Sequence, residues 1–201
     1  ITVCKVKNTK CTWKLQLLRK FPSVFVFMGD FTYLCAVFWP NNIGTMTDQR
    51  VNIVKTAGDM FFRLGVRSVS IDDICREMGI SKKTFYVYFE SKDALIEQML
   101  QANLDYMAGK MEELVAMKDF RQLVRVFIKR QEAEKNDVRR VPQLVYDLKK
   151  YYPRQFADFQ IQCFETQKKY IMQYLEQGVA QGLVLANLNI ELTAVLFAKI
   201  H

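Results

Sequence analysis

The sequence predicts an all-α fold. Three observations carry this. Apolar residues recur at steps of three and four through most of residues 46–201. Residues that cap helices precede those runs, and glycines follow several of them. No segment shows the convincing alternation of a half-buried strand. Gly (8) and Pro (4) are scarce in the 201 residues, which disfavours a loop-rich chain and excludes a collagen-like one.

Taken in order, Val51, Val54, Ala57, Phe61 and Leu64 mark one face of a first helix. Thr47 or Asp48 can cap it, because a short side-chain oxygen accepts the free N–H groups of a first turn. Gly65 can end it in a left-handed conformation. Ser70-Ile71-Asp72-Asp73 opens a second helix, with Ser70 as cap and two acids at the positive end of the helix dipole. Ile71, Ile74 and Met78 form its apolar face, and Gly79 ends it. Ser81 caps a short third helix reaching about Phe89. Ser91 caps a fourth, which begins Lys92-Asp93-Ala94-Leu95 and runs to about Met117.

A helix over roughly 120–134 follows, with Leu123, Val124, Phe127 and Ile128 apolar. Pro142 is tolerated in the first turn of a helix to Tyr151, and Pro153 in that of a long helix to about Gln181, stopped by Gly182. Asn187 or Asn189 begins one more helix before His201.

Composition narrows the function. The single His is His201, which argues strongly against His-based general-base catalysis and His-ligated zinc. Cys4, Cys11, Cys35, Cys75 and Cys163 form no C-x-x-C pair, so neither a metal site nor a disulfide scaffold is indicated, and a reducing compartment is the simplest reading. No Gly-rich phosphate loop is present. Cys75 sits in the core pattern of the second helix and reads as packed rather than reactive. An enzyme is not expected.

The net charge is +8, but it is unevenly placed. Lys5, Lys7, Lys10, Lys14, Arg19 and Lys20 oppose only Asp30 in residues 1–45, whereas residues 46–100 hold as many acids as bases. Bulk basicity is therefore weak evidence for a nucleic-acid partner. Phe21 to Trp39 carries one charge, Asp30, and taken alone is a marginal membrane-span or signal-anchor candidate. Asp30, Gly29 and Pro22 count against it. Asn41 to Gly44 form a break, and Met46-Thr47-Asp48 reads as a translation start. Residues 1–45 are expected to be an extension outside the fold. A membrane-associated regulator or adaptor anchored by residues 21–39 stays open as the alternative.

The informative stretch is residues 70–95. It encodes a helix, the three-residue turn Gly79-Ile80-Ser81 and a second helix, which is helix-turn-helix spacing. Gly79 is needed because the sharp turn wants positive φ. Ile80 can plug the junction. Phe85 and Phe89, four apart, can anchor one face of the short helix, leaving Lys82, Lys83, Tyr86 and Val87 on the other. Lys82 and Lys83 occupy a first turn that has no acid. Cations there oppose the helix dipole by about 0.3–1 kcal/mol. A phosphate would reverse that sign, although a pair of solvated lysines is the simpler reading of the charges alone.

Residues from about 50 to 100 resemble the DNA-binding domain of the TetR (tetracycline repressor-like) family of bacterial transcription regulators. The resemblance rests on Ala57, Phe61, Gly65, Ser70 to Ile74, Gly79-Ile80-Ser81-Lys82, Thr84-Phe85-Tyr86, Phe89 and Ser91-Lys92-Asp93-Ala94-Leu95, in that order. It implies a three-helix DNA-binding domain over residues 46–92, with a recognition helix in the major groove of double-stranded DNA. A helical domain that binds a small-molecule effector and dimerises would follow over residues 93–201. Phosphate-contacting roles are implied for Lys92 and Tyr86, and groove-facing roles for Lys82, Lys83, Thr84 and Val87. Ile74, Gly79, Ile80, Ser81, Phe85 and Phe89 would build the helix-turn-helix itself. The whole would be a cytoplasmic, ligand-responsive repressor and a homodimer, with no cofactor, no metal, no RNA partner and no membrane partner.

Three departures stand out. A glycine is common in the family where Lys83 stands. Residues 1–45 match nothing in it. Members usually continue through a final helix pair that builds the dimer interface, and here only the first is begun, around Asn189 to His201. The regulatory domain is therefore expected to be C-terminally truncated, and the chain a weak dimer or a monomer. Tyr106, Met107, Met111, Met117, Phe120, Phe127, Tyr146, Tyr151, Tyr152, Phe156, Phe159, Phe164, Tyr170 and Tyr174 read mainly as bundle core, and adaptable Met and aromatic walls also suit an apolar ligand cavity. No residue is singled out as an effector contact.

Overall fold

The computed structural model describes residues 48–122, 125 and 141–199. The extension 1–45, the 21–39 stretch, Phe127 and most of the helix expected over 120–134 lie outside the described residues. Those described form α1 (Gln49–Leu64), α2 (Ile71–Met78), α3 (Lys82–Tyr88), α4 (Lys92–Ala116), α5 (Val141–Tyr151), α6 (Pro153–Ala180) and α7 (Ile190–Lys199), and residues 120–122 are helical as well. None of these helices is long and apolar enough to cross a membrane.

The caps explain where the helices start. Asp48 accepts the Arg50 N–H at 2.9 Å. Ser70 and Asp73 form a reciprocal capping box: the Asp73 N–H donates to Ser70 Oγ at 3.2 Å, and the Ser70 N–H donates to Asp73 Oδ2 at 2.9 Å. Ser81 accepts the Thr84 N–H at 3.1 Å and Ser91 the Ala94 N–H at 3.1 Å. Pro153 sits at the start of α6, where its missing N–H costs nothing. Asn189, rather than Asn187, starts α7 by accepting the Leu192 N–H at 2.9 Å.

Gly79 takes the left-handed conformation the turn requires, at φ 65° and ψ 29°. Gly65 corrects the expectation for α1. Its φ is 83°, but its ψ is 151°. The chain leaves α1 extended, in a region that only glycine enters easily. The α1 stripe is also shifted. Ile53, Val54, Ala57, Met60 and Phe61 are buried, Val51 is half-buried, and Leu64 is exposed where the chain swings away at Gly65.

One core runs through both halves. Ile53, Phe61, Ile74, Phe85, Leu95 and Ile96 cluster with Leu144, Leu148, Phe156 and Phe159. The boundary expected at residue 92 falls at the first residue of α4, and the first half of that helix packs with α1 to α3. Beyond it, α6 packs against both α4 and α7. Met111 and Tyr170 centre a second cluster there, with Tyr174 and Phe197 against it. Most of the described aromatic and methionine residues of the second half are core or partly buried, whereas Tyr146 and Tyr151 on α5 and Met117 are exposed.

Candidate nucleic-acid interface

The helix-turn-helix is built from a few side chains. Ile74 and Phe85 are fully buried and Phe89 nearly so. The Phe85 and Phe89 rings lie 5.8 Å apart, and the Arg50 guanidinium sits 5.1 Å from the centre of the Phe89 ring. The second contact ties the C-terminal end of α3 to α1. At the turn, the Ile80 N–H donates to the Cys75 carbonyl at 3.0 Å, closing the end of α2. Ile80 is half-buried against the core. Burial raises the Cys75 thiol above its ordinary range, which agrees with packing rather than reactivity.

Anchoring Phe85 turns the other face of α3 outward. Tyr86 is 52% exposed and Val87 74% exposed. Lys82 and Lys83 are exposed beside them. Thr84 is half-buried, with its hydroxyl 2.9 Å from Ser81 Oγ. The structure therefore brings Lys82, Lys83, Tyr86 and Val87 together on one accessible surface.

Two lysines sit differently from the expectation. Lys82 is not an uncompensated cation, because its ammonium lies 2.8 Å from the Asp72 carboxylate of α2. The hydrogen bond and charge of Asp72 hold the Lys82 proton more firmly than in an ordinary lysine. Lys92 points inward. Its ammonium donates to the carbonyls of Val66 and Val69, both at 2.6 Å, and lies 5.4 Å from the centre of the Phe61 ring. Burial lowers its pKa, opposed by Asp147, Asp93 and Asp73. Ser70, through its hydroxyl and then its N–H, lowers the Asp73 pKa, so that acid is held ionised in the cap.

Comparison with known proteins gives this geometry its family. Residues 53–99 match the family described as bacterial regulatory proteins, tetR family. Residues 53–99 are a helix-turn-helix domain of the TetR family. The chain is accordingly a DNA-binding transcription regulator. The TetR-like match extends through the first turns of α4, the same turns that share the core of α1 to α3.

Among relatives, the chain is 24% identical over 155 residues to the HTH-type transcriptional repressor KstR2 of Mycolicibacterium smegmatis, a match covering 76% of each protein. It is 40% identical over 60 residues to the uncharacterized HTH-type transcriptional regulator YuxN of Bacillus subtilis, covering 30% of this chain and 21% of that one. To the HTH-type transcriptional regulator EthR of Mycobacterium tuberculosis it is 36% identical over 53 residues, covering 26% and 24%. Among solved structures, Salmonella enterica GusR aligns with 78% of this chain and 81% of that one, at 21% identity and a TM-score of 0.48.

Sequence reasoning missed Asp72 as the partner of Lys82, and it missed Arg67 and Asp147. The Arg67 N–H donates to Asp147 Oδ2 at 3.2 Å, across from α5. One signal was present: Asp147 is an acid inside the apolar run Leu144, Val145 and Leu148. Among the described residues, no three His, Cys, Asp or Glu side chains are placed to hold a metal.

Proposed function

We propose that the chain is a ligand-responsive repressor that binds a specific duplex through α3 and acts in the cytoplasm, without catalytic activity of its own. The observation that carries this reading is the division of α3. Phe85 is fully buried on one face, while Tyr86 and Val87 stand bare on the other beside two lysines. A short helix fixed by its apolar face and exposing apolar and basic groups suits the major groove. There a methyl-rich side chain meets thymine methyl groups, and lysines meet phosphates or guanine edges. Thr84 lies half-buried at the rim of this surface, and Lys92, whose ammonium is held by the Val66 and Val69 carbonyls, would have to turn outward to reach a phosphate.

Repression is supported by a relative that covers 76% of the chain and is itself named a repressor. Effector binding is supported by the layer between α4 and α6. Met111, Tyr170 and Tyr174 meet there, Tyr174 donates to the Met111 carbonyl at 3.1 Å, and Gln177 donates to the Val115 carbonyl at 2.8 Å. Methionine and aromatic walls with a few polar groups can adapt to an apolar guest. A dimer reading two half-sites would enlarge the small surface that one such domain presents to DNA, and such a dimer of this chain is expected to be weak.

Selection of duplexes from a random pool by the full chain tests this reading. Enrichment of a palindromic site, with affinity falling steeply as salt rises, is the expected result. Recovery of no preferred sequence would overturn it.

A further inference from the structure

The loop joining α1 to α2 is held from two helices. From α4, Lys92 donates to the Val66 and Val69 carbonyls. From α5, Asp147 accepts the Arg67 N–H at 3.2 Å and the Gln143 side-chain N–H at 2.8 Å. Tyr151, one turn further along α5, accepts from the Arg67 guanidinium at 3.1 Å, and that guanidinium lies 5.6 Å from the centre of its ring. Gln143, Asp147 and Tyr151 fall at four-residue steps, so one face of α5 meets this one loop.

Asp147 is only 3% exposed. A buried carboxylate is costly unless its acceptors are filled, and an apolar residue would serve packing alone better. The backbone is shaped for it. A Cβ at Gly65 would lie 2.9 Å from Asp147 Oδ2, and Gly65 already has φ +83°. The loop ends at Ser70, the cap of α2, and α2 carries α3 through the Gly79 turn.

We propose that Asp147, outside the DNA-binding domain, is a positioning residue for DNA binding. By fixing the 65–70 loop against the Lys92 grip, it sets where α2 and α3 stand relative to α4. The proposal rests on the reading of α3 as the DNA contact.

The test compares the full chain with Asp147→Leu and Asp147→Asn on two probes, the duplex selected by the wild type and a scrambled duplex of equal length. Asp147→Leu is expected to lower the ratio of selected to scrambled affinity by about three- to ten-fold. Affinity for the scrambled duplex, set by surface charge, should hold. Asp147→Asn keeps an acceptor for the Arg67 N–H and should recover part of the ratio. Hydrogen exchange at the Arg67 amide should quicken in the Leu variant and less in the Asn variant. If Asp147→Leu does not fold, Tyr151→Phe reads the same link from an exposed position, and about a two-fold loss of the ratio is expected. An unchanged ratio in a folded Asp147→Leu chain, or in Tyr151→Phe where the Leu variant does not fold, overturns the proposal. A Lys82→Ala/Lys83→Ala chain that binds both duplexes like wild type would instead overturn the α3 reading.

Discussion

The ammonium of Lys82, in the first turn of α3, lies 2.8 Å from the carboxylate of Asp72, in the first turn of α2. The pair joins the two helices of the helix-turn-helix across its turn. Both side chains are exposed, so the pair adds little to stability. Its effect is on DNA. A phosphate approaching Lys82 must compete with Asp72, while Lys83 has no ion-pair or hydrogen-bond partner among the described residues.

This separates the two lysines in a salt titration. Lys83→Ala is expected to reduce the slope of log affinity against log salt by about 0.9. Lys82→Ala should reduce it by less, because part of that charge is already neutralised. Asp72→Asn should raise affinity for every duplex, since it frees Lys82 and removes an anion facing the phosphates. Binding measured at several salt concentrations for the three variants checks the order. Equal slopes for the two alanine variants would show that Asp72 releases Lys82 at no cost.

Most of the fold was legible because its signals are local. Ser70, Ser81 and Ser91 each cap the helix that the sequence assigns to them, and Gly79 takes the backbone conformation that the turn demands. The exposed face of α3 was legible for the same reason: the four-residue spacing of Phe85 and Phe89 fixes which side is buried. What was not legible is long-range. Asp72 meets Lys82 only once the turn folds α3 back on α2. Lys92 meets Val66 and Val69 only once α4 packs beside α1. Asp147 reaches Arg67 from 80 residues away. Periodicity carries no information about such partners. Gly65 was half legible: the need for glycine was visible, but its extended ψ and the carboxylate of α5 close beside it were not.

Gly65 and Gly79 both have positive φ, but only one is crowded. Nothing lies within 4 Å of a Cβ placed at Gly79, so Gly79→Ala should cost only backbone strain, about 1–2 kcal/mol. At Gly65 the same Cβ meets Asp147 Oδ2 at 2.9 Å, and Gly65→Ala should cost roughly 3 kcal/mol. Denaturant melts of the two variants decide it. Equal losses would mean that Asp147 moves away easily.

Tyr174 predicts an alkaline transition. Its hydroxyl donates to the Met111 carbonyl at 3.1 Å, and burial, with Tyr170 adding to it, pushes the phenol well above the usual tyrosine range of about 10. Below pH 10 both folded and unfolded chains hold this proton, and the contribution to stability is fully present. Above it the unfolded chain releases the proton while the folded chain keeps it, so stability falls as pH rises. Tyr152, raised mainly by burial, acts in the same direction. The thermal midpoint should drop more between pH 9 and pH 11 for wild type than for Tyr174→Phe (both values are about one unit either side of the usual phenol range). Parallel curves would count against a buried, protonated phenol.

Lys92 is where stability and DNA binding can be told apart. Two of its three N–H groups go to the Val66 and Val69 carbonyls, and its ammonium lies 5.4 Å from the centre of the Phe61 ring. Lys92→Ala strands both carbonyls at the edge of the core. Charge-assisted hydrogen bonds contribute about 1.5–3 kcal/mol each, and some of this is offset because the ammonium no longer has to be desolvated. A net loss of about 2 kcal/mol is expected. The salt slope of DNA binding should change by clearly less than in Lys83→Ala, because only one N–H remains for a phosphate. Below the lowered melting point the scrambled duplex should be bound as by wild type, while the selected duplex should be bound more weakly, because the loop that leads to α2 and α3 has lost one of its holds. Measuring both quantities on one preparation decides between the roles. A full unit off the slope with an unchanged melting point would mean that the ammonium leaves the loop for the phosphate when DNA arrives. The α1–α2 loop would then be held in the complex by Asp147 and Tyr151 alone.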